Sequence, residues 1–179
     1  MLDPLRRLWR HYWLDERDTR RTLPDAVAAR LQQQVTASER RHSGEIRICV
    51  EAGLPASYLW RQWRHGLQTE QIVRERALMM FAKLRVWDTE HNNGVLIYLL
   101  LAEQAIELVA DRALAREVPD RRWAELAQHL GTSLHEGLFE AGLSEAVGAV
   151  SALLEQHFPP DETTPGPRRN QLPDDPVLR

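Results

Sequence analysis

The sequence predicts an α/β fold in which two consecutive strands form an antiparallel hairpin inside a small sheet. Residues 45–52 alternate apolar and polar side chains, which is the period of a strand. Residues 94–102 are apolar on both alternating faces, as is typical of a central strand covered by a layer on each side. Segments with apolar residues at helical spacing flank these two, so the predicted order is helix, strand, helix, strand, strand, helix, helix.

The first helix of the domain is predicted to begin at Pro24 and Asp25, because proline suits the first turn of a helix. Its apolar stripe consists of Leu23, Val27, Leu31 and Val35. The strand at 45–52, EIRICVEA, follows after a short turn. One face of this strand is predicted to be the better buried, and Cys49 on the other face is interpreted as a half-buried, inert thiol.

Residues 56–69, ASYLWRQWRHGLQT, are predicted to form an inserted loop or a short helix. They bring Trp60 and Trp63 together with Arg61 and Arg64. Tryptophan and arginine are enriched at the centres of protein interfaces, so Trp60 and Trp63 are candidate contacts for a protein partner. The alternative, in which both indole rings pack into the core, fits the sequence equally well.

The hairpin prediction rests on a short connection. A helix over 72–84 is predicted to pack on the sheet through one apolar face and to lead into the strand at 94–102. Only Glu103 and Gln104 then precede the alternating segment 105–111. So short a connection indicates that the two strands run antiparallel.

Two helices are predicted to follow the hairpin. The first carries Asp120 as its N-cap and ends near Gly137, and the second runs from Leu143 to about residue 158. The domain is therefore predicted to span residues 23–158.

Appendages are predicted at both ends of the domain. Residues 1–22 are predicted to form a helical appendage that packs on the domain through Trp9, Tyr12 and Trp13. The alternative is a helix on a membrane surface, which is less favoured because acidic residues between the arginines weaken the attraction to anionic lipid. Residues 159–179 contain six of the ten prolines and almost no apolar residue. This tail is predicted to be disordered.

The composition predicts a soluble, cytoplasmic protein. Of its 179 residues 43% are apolar and 27% charged, and the net charge of -3 offers no broad basic surface, which argues against nucleic acid as a partner. The single cysteine excludes an internal disulfide and a cysteine-based metal cluster. No transmembrane segment is predicted, because the longest apolar run is far shorter than the roughly 20 residues that a membrane helix needs.

The sequence lacks the common catalytic and cofactor motifs. It contains no G-x-G-x-x-G loop, no phosphate-binding P-loop, no G-x-S-x-G elbow and no H-E-x-x-H zinc helix. His129 and His135 are six positions apart on one predicted helix and cannot ligate the same metal from adjacent faces. No catalytic residue and no organic cofactor are therefore predicted.

A set of acidic and amide side chains is predicted to gather at one edge of the sheet. Its members are Glu45, Asp88, Glu90, Asn92, Asn93 and Asp111, and all of them except Glu90 are candidate metal ligands. In a hairpin the start of the second strand and the end of the third lie at the same edge, which brings Asn92 or Asn93 near Asp111. Such oxygen ligands suit Ca²⁺ or Mg²⁺. The alternative is that Asn-Asn-Gly forms a turn and that the carboxylates are solvated or cap helices.

Three segments carry a family resemblance. They are HSGEI at 42–46, ALMMFAKLRVWDTEHNNGVLIYLLLAEQAIELVADRAL at 77–114 and FEAGLSEAVGAVSALL at 139–154. In their order and spacing these segments resemble the TPM domain, a family named for thylakoid-lumen, photosystem-repair and receptor-modulator proteins. The resemblance covers about residues 42–158 and implies a three-layer α/β/α sandwich around a small mixed sheet.

The resemblance also implies a set of functions. Members of the family look like maintenance modules of envelope complexes, like divalent-cation binders and like weak acid phosphatases. The chain resembles the soluble, single-domain bacterial variant, and the resemblance implies a protein partner that is membrane-associated in some members. We expect an interaction module that binds Ca²⁺ or Mg²⁺, or alternatively a metal-dependent phosphatase in which Arg112 holds the phosphate.

Residue by residue, the match has two departures, and one of them is that residues 110–114, Ala-Asp-Arg-Ala-Leu, replace the family's glycine-containing V-G-x-G-L. Glu45 corresponds to the acid at the strand entry, Trp87 to the tryptophan before the loop, and Asn93-Gly94 to the amide and glycine of the family's D-N-G-V motif. Asn92 stands where the family usually has aspartate. The loss of one anionic ligand is expected to weaken the affinity for a hard cation.

Overall fold

A mixed sheet of four strands crosses the part of the chain that the computed structural model describes, which is residue 11 with residues 16–160 and 170–179. The strands are β1 (Glu45–Glu51), β2 (Gly94–Leu100), β3 (Ala105–Ala110) and β4 (Val177–Leu178). They lie in the order β3-β2-β1-β4. β1 pairs in parallel with both β2 and β4, whereas β2 and β3 pair antiparallel.

Seven α-helices surround the sheet within these residues. They are α1 (Glu16–Thr22), α2 (Asp25–Ser38), α3 (Ala56–His65), α4 (Thr69–Lys83), α5 (Arg112–Glu117), α6 (Asp120–His135) and α7 (Phe139–His157). The insert at 56–69 thus contains a helix, which is one of the two alternatives that the sequence leaves open. α7 begins four residues before the predicted Leu143, because the segment at 139–142 extends the same helix without a break.

The structure confirms the predicted hairpin. A 3₁₀ turn (Leu101–Glu103) and Gln104 join β2 to β3, and Gln104 closes the turn with a φ of 49°, in the left-handed region. The register pairs Val95 with Ala110 and Leu100 with Ala105. As a result, β2 begins and β3 ends at the same edge of the sheet.

Helices cover both faces of the sheet, which confirms the three-layer α/β/α sandwich. On one face, side chains such as Ile48 and Ile97 pack in a core with α2, α6 and α7. On the other face, Leu96 and Tyr98 pack in a second core with α4. Every residue of β2 is buried, as its continuous apolar sequence predicts.

β1 is buried on both faces, which corrects the prediction of one better-buried face and a half-buried Cys49 thiol. The polar residues of its second face have buried partners. Arg76 of α4 donates to both carboxylate oxygens of Glu51, through Nε at 2.8 Å and through Nη2. The Tyr98 hydroxyl donates to Glu51 Oε2 at 2.7 Å. A charged strand residue can be buried when its charge is paired in this way.

The C-terminal segment, residues 170–179, lies against the domain and so differs from the disorder predicted for residues 159–179. β4 pairs with the outer edge of β1, and Arg179 N donates to Val50 O at 2.9 Å. Arg47 of β1 donates to the carbonyl oxygens of Pro173 and Asp175. Hydrogen bonds to β1 thus hold a segment that has few apolar residues of its own.

The predicted N-terminal appendage is described only at His11 and from Glu16 onward, and Trp9, Tyr12 and Trp13 lie outside the described residues. His11 is buried. Its Nδ1 accepts from Leu54 N at 3.0 Å, and its Nε2 lies 2.6 Å from Glu103 Oε1. Within the described ranges, none of the helices combines the length and the apolar character that a membrane span requires.

Candidate functional site

The strand-start edge is the end of the sheet at which β1 and β2 begin and β3 ends. Four of the candidate ligands lie there: Glu45, Asn92, Asn93 and Asp111. Glu45 is the register partner of Gly94 across the β1–β2 pair. Asp111 N donates to Gly94 O at 2.8 Å from the other side. The sheet register therefore brings these four residues to one edge.

Asn92 and Asn93 form the turn into β2. Asn92 adopts a φ of 52°, a left-handed conformation that asparagine tolerates better than most residues. Its backbone oxygen accepts from Ala113 N at 3.0 Å, and its side-chain oxygen accepts from Arg112. Asn93 is buried, and its Nδ2 donates to Ser43 Oγ at 3.2 Å. Its Oδ1 is also buried and has no hydrogen-bond partner among the described residues.

Asp111 caps the N-terminus of α5. Its Oδ1 accepts at 2.7 Å from the N–H of Arg112, the first residue of the helix, and aspartate is a favoured residue at the N-cap position. Its Oδ2 is buried and, like Asn93 Oδ1, has no partner in the described part of the chain. Arg112 itself is exposed, with its Nε 3.7 Å from Asp111 Oδ1. The capping alternative therefore accounts for only one of the two carboxylate oxygens.

Glu45 holds the C-terminal segment. The carboxylate is buried, and it accepts from Gln171 N at 3.4 Å and from Leu172 N at 3.3 Å. Gln171 also accepts from Glu90 N through its side-chain Oε1 at 2.7 Å. Residues 171 and 172 thus cross the strand-start edge beside Glu45.

Asp88 lies in the loop before β2 but is not joined to the other candidates by any contact that the structure shows. It is exposed and pairs with Arg85, whose Nη2 donates to Asp88 Oδ2 at 2.6 Å. Of the predicted set, the structure therefore links Asn92 and Asp111 through Arg112, places Asn93 and Glu45 beside them, and gives Asp88 a separate ion pair.

The side chains gathered at the strand-start edge are oxygen donors. Across residues 11, 16–160 and 170–179, no group of three or more His, Cys, Asp or Glu side chains is arranged to hold a metal ion. Two carboxylates, from Glu45 and Asp111, and two amide oxygens, from Asn92 and Asn93, are present instead. Ca²⁺ accepts amide and carbonyl oxygens beside carboxylates, but its affinity falls as carboxylates are lost.

The other predicted contact surface lies on α3. We define the α3 surface as Trp60, Trp63 and Arg64. Trp60 and Trp63 expose 57% and 79% of their area, so neither ring packs in the core as the second sequence interpretation had it. The Arg64 guanidinium lies 5.3 Å from the centre of the Trp60 ring, within the range of a cation–π contact. Gly66 ends the helix with a φ of 60°.

Gln171 and Leu172 are functional neighbours that the sequence analysis missed. The backbone N–H groups of both residues donate to Glu45, although the prolines of the surrounding tail favour disorder. Leu172 is buried, and an apolar residue among polar neighbours is the signal that could have located this contact.

Comparisons with known proteins agree with the fold. A family model described as the TPM domain matches residues 17–153. The NMR structure of the BA42 protein from the psychrophilic bacterium Bizionia argentinensis is similar, with a TM-score of 0.69 and 21% sequence identity. The similarity covers 87% of this chain and 94% of that chain. At this identity the likeness concerns the fold. The comparison with curated proteins found no match.

Proposed function

This chain belongs to the TPM domain family, and from that premise we propose that it is a protein-interaction module that serves the maintenance of envelope complexes. The observation that carries the proposal is the exposure of Trp60 and Trp63 on one face of α3. Two large apolar rings in water are costly on a folded surface, and their burial by a partner supplies much of the free energy of a typical hot spot.

The charge of α3 indicates the chemistry of the partner. The helix contains no Asp or Glu, and Arg64 makes no ion pair among the described residues. The α3 surface therefore combines apolar area with positive charge, and it fits a protein that carries acidic side chains around an apolar depression. Two tryptophans are too small an apolar face for stable anchoring in a bilayer, but they are ordinary for a protein hot spot.

A photoreactive residue at the exposed Ser57, one turn before Trp60, tests this proposal. We expect one predominant cross-linked protein in the producing cell, which is then purified and titrated against this chain. Trp60→Ala with Trp63→Ala should weaken that complex by about 100-fold or more. Leu138→Ala is the control, because Leu138 is an exposed apolar residue outside the α3 surface, at the start of α7.

Two results would contradict the interaction module. The first is a cross-linked partner whose affinity is the same for the wild type and for the double variant Trp60→Ala with Trp63→Ala. The second is binding of the wild type to phosphatidylglycerol vesicles that the double variant loses, because lipid would then be the ligand of the α3 surface.

A second candidate function is divalent-cation binding at the strand-start edge, with weak metal-dependent acid phosphatase activity. Asp111 Oδ2 and Asn93 Oδ1 support it, since both oxygens are buried without a hydrogen-bond partner among the described residues. A cation held there would supply Lewis-acid polarisation of a phosphoryl oxygen. Arg112, exposed beside Asn92, is the residue that would hold the phosphate.

Calorimetric titration with CaCl₂ and MgCl₂, beside hydrolysis of p-nitrophenyl phosphate, tests the second candidate. We expect a binding heat that Asp111→Asn abolishes and that the matched control Asp88→Asn retains, because Asp88 belongs to a separate, exposed ion pair. Circular dichroism checks that Asp111→Asn keeps its helices. No heat in the wild type, or an equal loss in the Asp88 control, would remove cation binding from consideration.

A further inference from the structure

The outer edge of β3 presents backbone groups that point away from the sheet. The bond from Asp111 N to Gly94 O fixes which residues of β3 bond to β2. In an antiparallel pair these residues alternate with residues that face outward, so the N–H and C=O groups of Ile106, Leu108 and Ala110 face outward. Arg74 Nη1 donates to Leu108 O at 2.8 Å, which agrees with this assignment. No other outward group of these three residues has a partner in the described part of the chain.

A groove runs along this edge between two helices. It consists of two adjoining depressions of about 800 and 400 Å³, which share Glu107 and Ala127. α4 forms one wall and α6 forms the other. The α6 wall is built from the small residues Ala124, Ala127 and Gly131, and a Cβ added at Gly131 would meet nothing within 4 Å. We call this feature the β3 groove. Its floor is a strand edge, and its α6 wall leaves room for side chains.

Trp123 forms part of the groove and carries a buried indole N–H. The residue lines the smaller depression and is nine-tenths buried, yet its Nε1–H has no hydrogen-bond partner among the described residues. A buried polar group without a partner costs free energy, and buried indole N–H groups are normally paired.

The charge of the β3 groove is acidic. Four carboxylates line it, those of Glu70, Glu103, Glu107 and Asp120, and the Glu103 carboxylate also pairs with the buried His11. Arg74 is the single basic residue among the lining residues, and it pairs with Glu107 at 3.1 Å. Glu70 and Asp120 are exposed at the N-terminal ends of the two wall helices. Lysine or arginine side chains at the rim would complement this charge.

We propose that the β3 groove binds an extended, basic peptide segment of a partner protein, which adds a strand to the sheet beside β3. Strand addition uses the outward N–H and C=O groups of the edge for affinity, and pockets for alternate side chains provide selectivity. Here the available groups are those of Ile106 and Ala110 and the N–H of Leu108, because Arg74 holds Leu108 O. The three outward residues match a ligand of about six residues, since successive residues of a strand alternate in direction. The groove is separate from the α3 surface, so the proposal does not depend on the function of Trp60 and Trp63.

Three synthetic hexapeptides test the proposal on the full chain. The first alternates valine with arginine or lysine, the second replaces the basic residues by glutamate, and the third is the basic peptide with N-methyl groups on alternate backbone nitrogens. We expect measurable binding of the basic peptide and at least about tenfold weaker binding of the other two, because they lose charge complementarity or ladder hydrogen bonds. Amide exchange at Ile106, Leu108 and Ala110 should slow when the basic peptide binds.

Gly131→Leu blocks the α6 wall and should abolish binding of the basic peptide. Gly148→Leu is the matched control, because Gly148 is also a helical glycine with nothing within 4 Å of an added Cβ but does not line the groove. Equal binding of the three peptides, or equal binding by the two leucine variants, would overturn the proposal. Slow exchange at the three amides without peptide, in a chain that sediments as a dimer, would also overturn it, because a second copy would then occupy the edge.

Discussion

Gly94 is the residue at which the start of β2 lies closest to the preceding loop. A Cβ at this position would lie 2.1 Å from Val86 O, which is a backbone atom and cannot rotate away. Gly94→Ala is therefore expected to lower the free energy of unfolding by about 1–3 kcal/mol, as measured by urea denaturation. Gly131→Ala is the control and should raise it by about 0.5–1 kcal/mol, since its methyl group meets open space in a helix. Equal stability of the two variants would contradict the close contact.

The Cys49 thiol is expected to be unreactive in the folded protein. Burial is the main cause that raises the pKa of Cys49 to about 12, and the nearby Glu51 carboxylate adds to it. Because the thiolate is the reactive form, labelling by a disulfide reagent at neutral pH should be undetectable in native protein and complete in urea. Rapid labelling without denaturant would show that the second face of β1 opens readily.

At the scale of single residues, the sequence predicted where a side chain lies in the sheet better than it predicted the hydrogen-bond partners of that side chain. The short connection predicted between the strands places Asn92 or Asn93 near Asp111 at one edge, and the observed connection of residues 101–104 keeps this arrangement. The partners of Glu45 could not be predicted, since they are backbone groups of Gln171 and Leu172, 126 and 127 positions away. The alternation of β1 likewise gave no sign that Arg76 pairs with Glu51 and allows its burial.

At the scale of elements, two exposed ion pairs join the region of α2 to α7. Arg30 donates to both carboxylate oxygens of Glu140, at 2.6 and 2.9 Å, and Arg41 donates to Glu155 at 2.6 Å. These hydrogen bonds lower the pKa of Glu140 and of Glu155 below the ordinary value of 4.5. Both pairs lie in solvent, so salt screens their contribution.

The pH dependence of stability follows from the direction of these shifts. A carboxyl whose pKa is lower in the folded state stabilises the fold above its unfolded pKa, and this contribution is lost as the pH falls through the folded pKa. Glu140→Gln with Glu155→Gln should therefore lose less stability than the wild type when the pH falls from about 6 to about 3. Urea denaturation at both pH values measures the difference, and molar NaCl should reduce it. Parallel pH profiles at low salt would contradict the role of these pairs.

Periodicity predicted the long elements and missed the short ones. α4, α6 and α7 each carry an apolar face over fifteen or more residues, which is enough to define a helical period. α5 has six residues and depends on the Asp111 cap. Six residues are too few to show a helical period in the hydrophobic pattern. The sequence left open whether Trp60 and Trp63 are exposed or packed in the core. The ten residues of α3 are too few to show which face of the helix contacts the core.

At the scale of the whole molecule, the C-terminal segment turns β1 from an edge strand into an interior strand. Removal of residues 170–179 is expected to expose the β1 backbone, including Ala52 N, which now donates to Arg179 O at 2.8 Å. Exchange at the Ala52 amide should become at least about tenfold faster. The shortened chain should also self-associate, because an open strand edge pairs readily with another. Light scattering measures the association, and a monomer with unchanged exchange would contradict it.

The three-layer arrangement could be predicted because two features of the sequence agree with it. β2 is apolar without interruption, and helices both precede and follow the strands along the chain. The fourth strand could not, because Val177 and Leu178 form a strand only through the edge that β1 offers them. A local pattern of two apolar residues among prolines carries too little burial to predict order. The C-terminal segment is ordered because β1 pairs with it, and β1 lies more than a hundred positions earlier in the sequence.

The small size of β4 has a consequence for ligand affinity at the strand-start edge. Val177 and Leu178 pair with β1, and hydrogen bonds of Arg47 and Arg179 add to this contact. A fluctuation that breaks these few bonds would detach the C-terminal segment and leave the other three strands paired. Detachment withdraws Gln171 N and Leu172 N from Glu45. A ligand that requires this carboxylate binds only the detached population, and its apparent dissociation constant is the intrinsic value divided by that population. The equilibrium between the attached and the detached C-terminal segment would then set the concentration at which such a ligand binds.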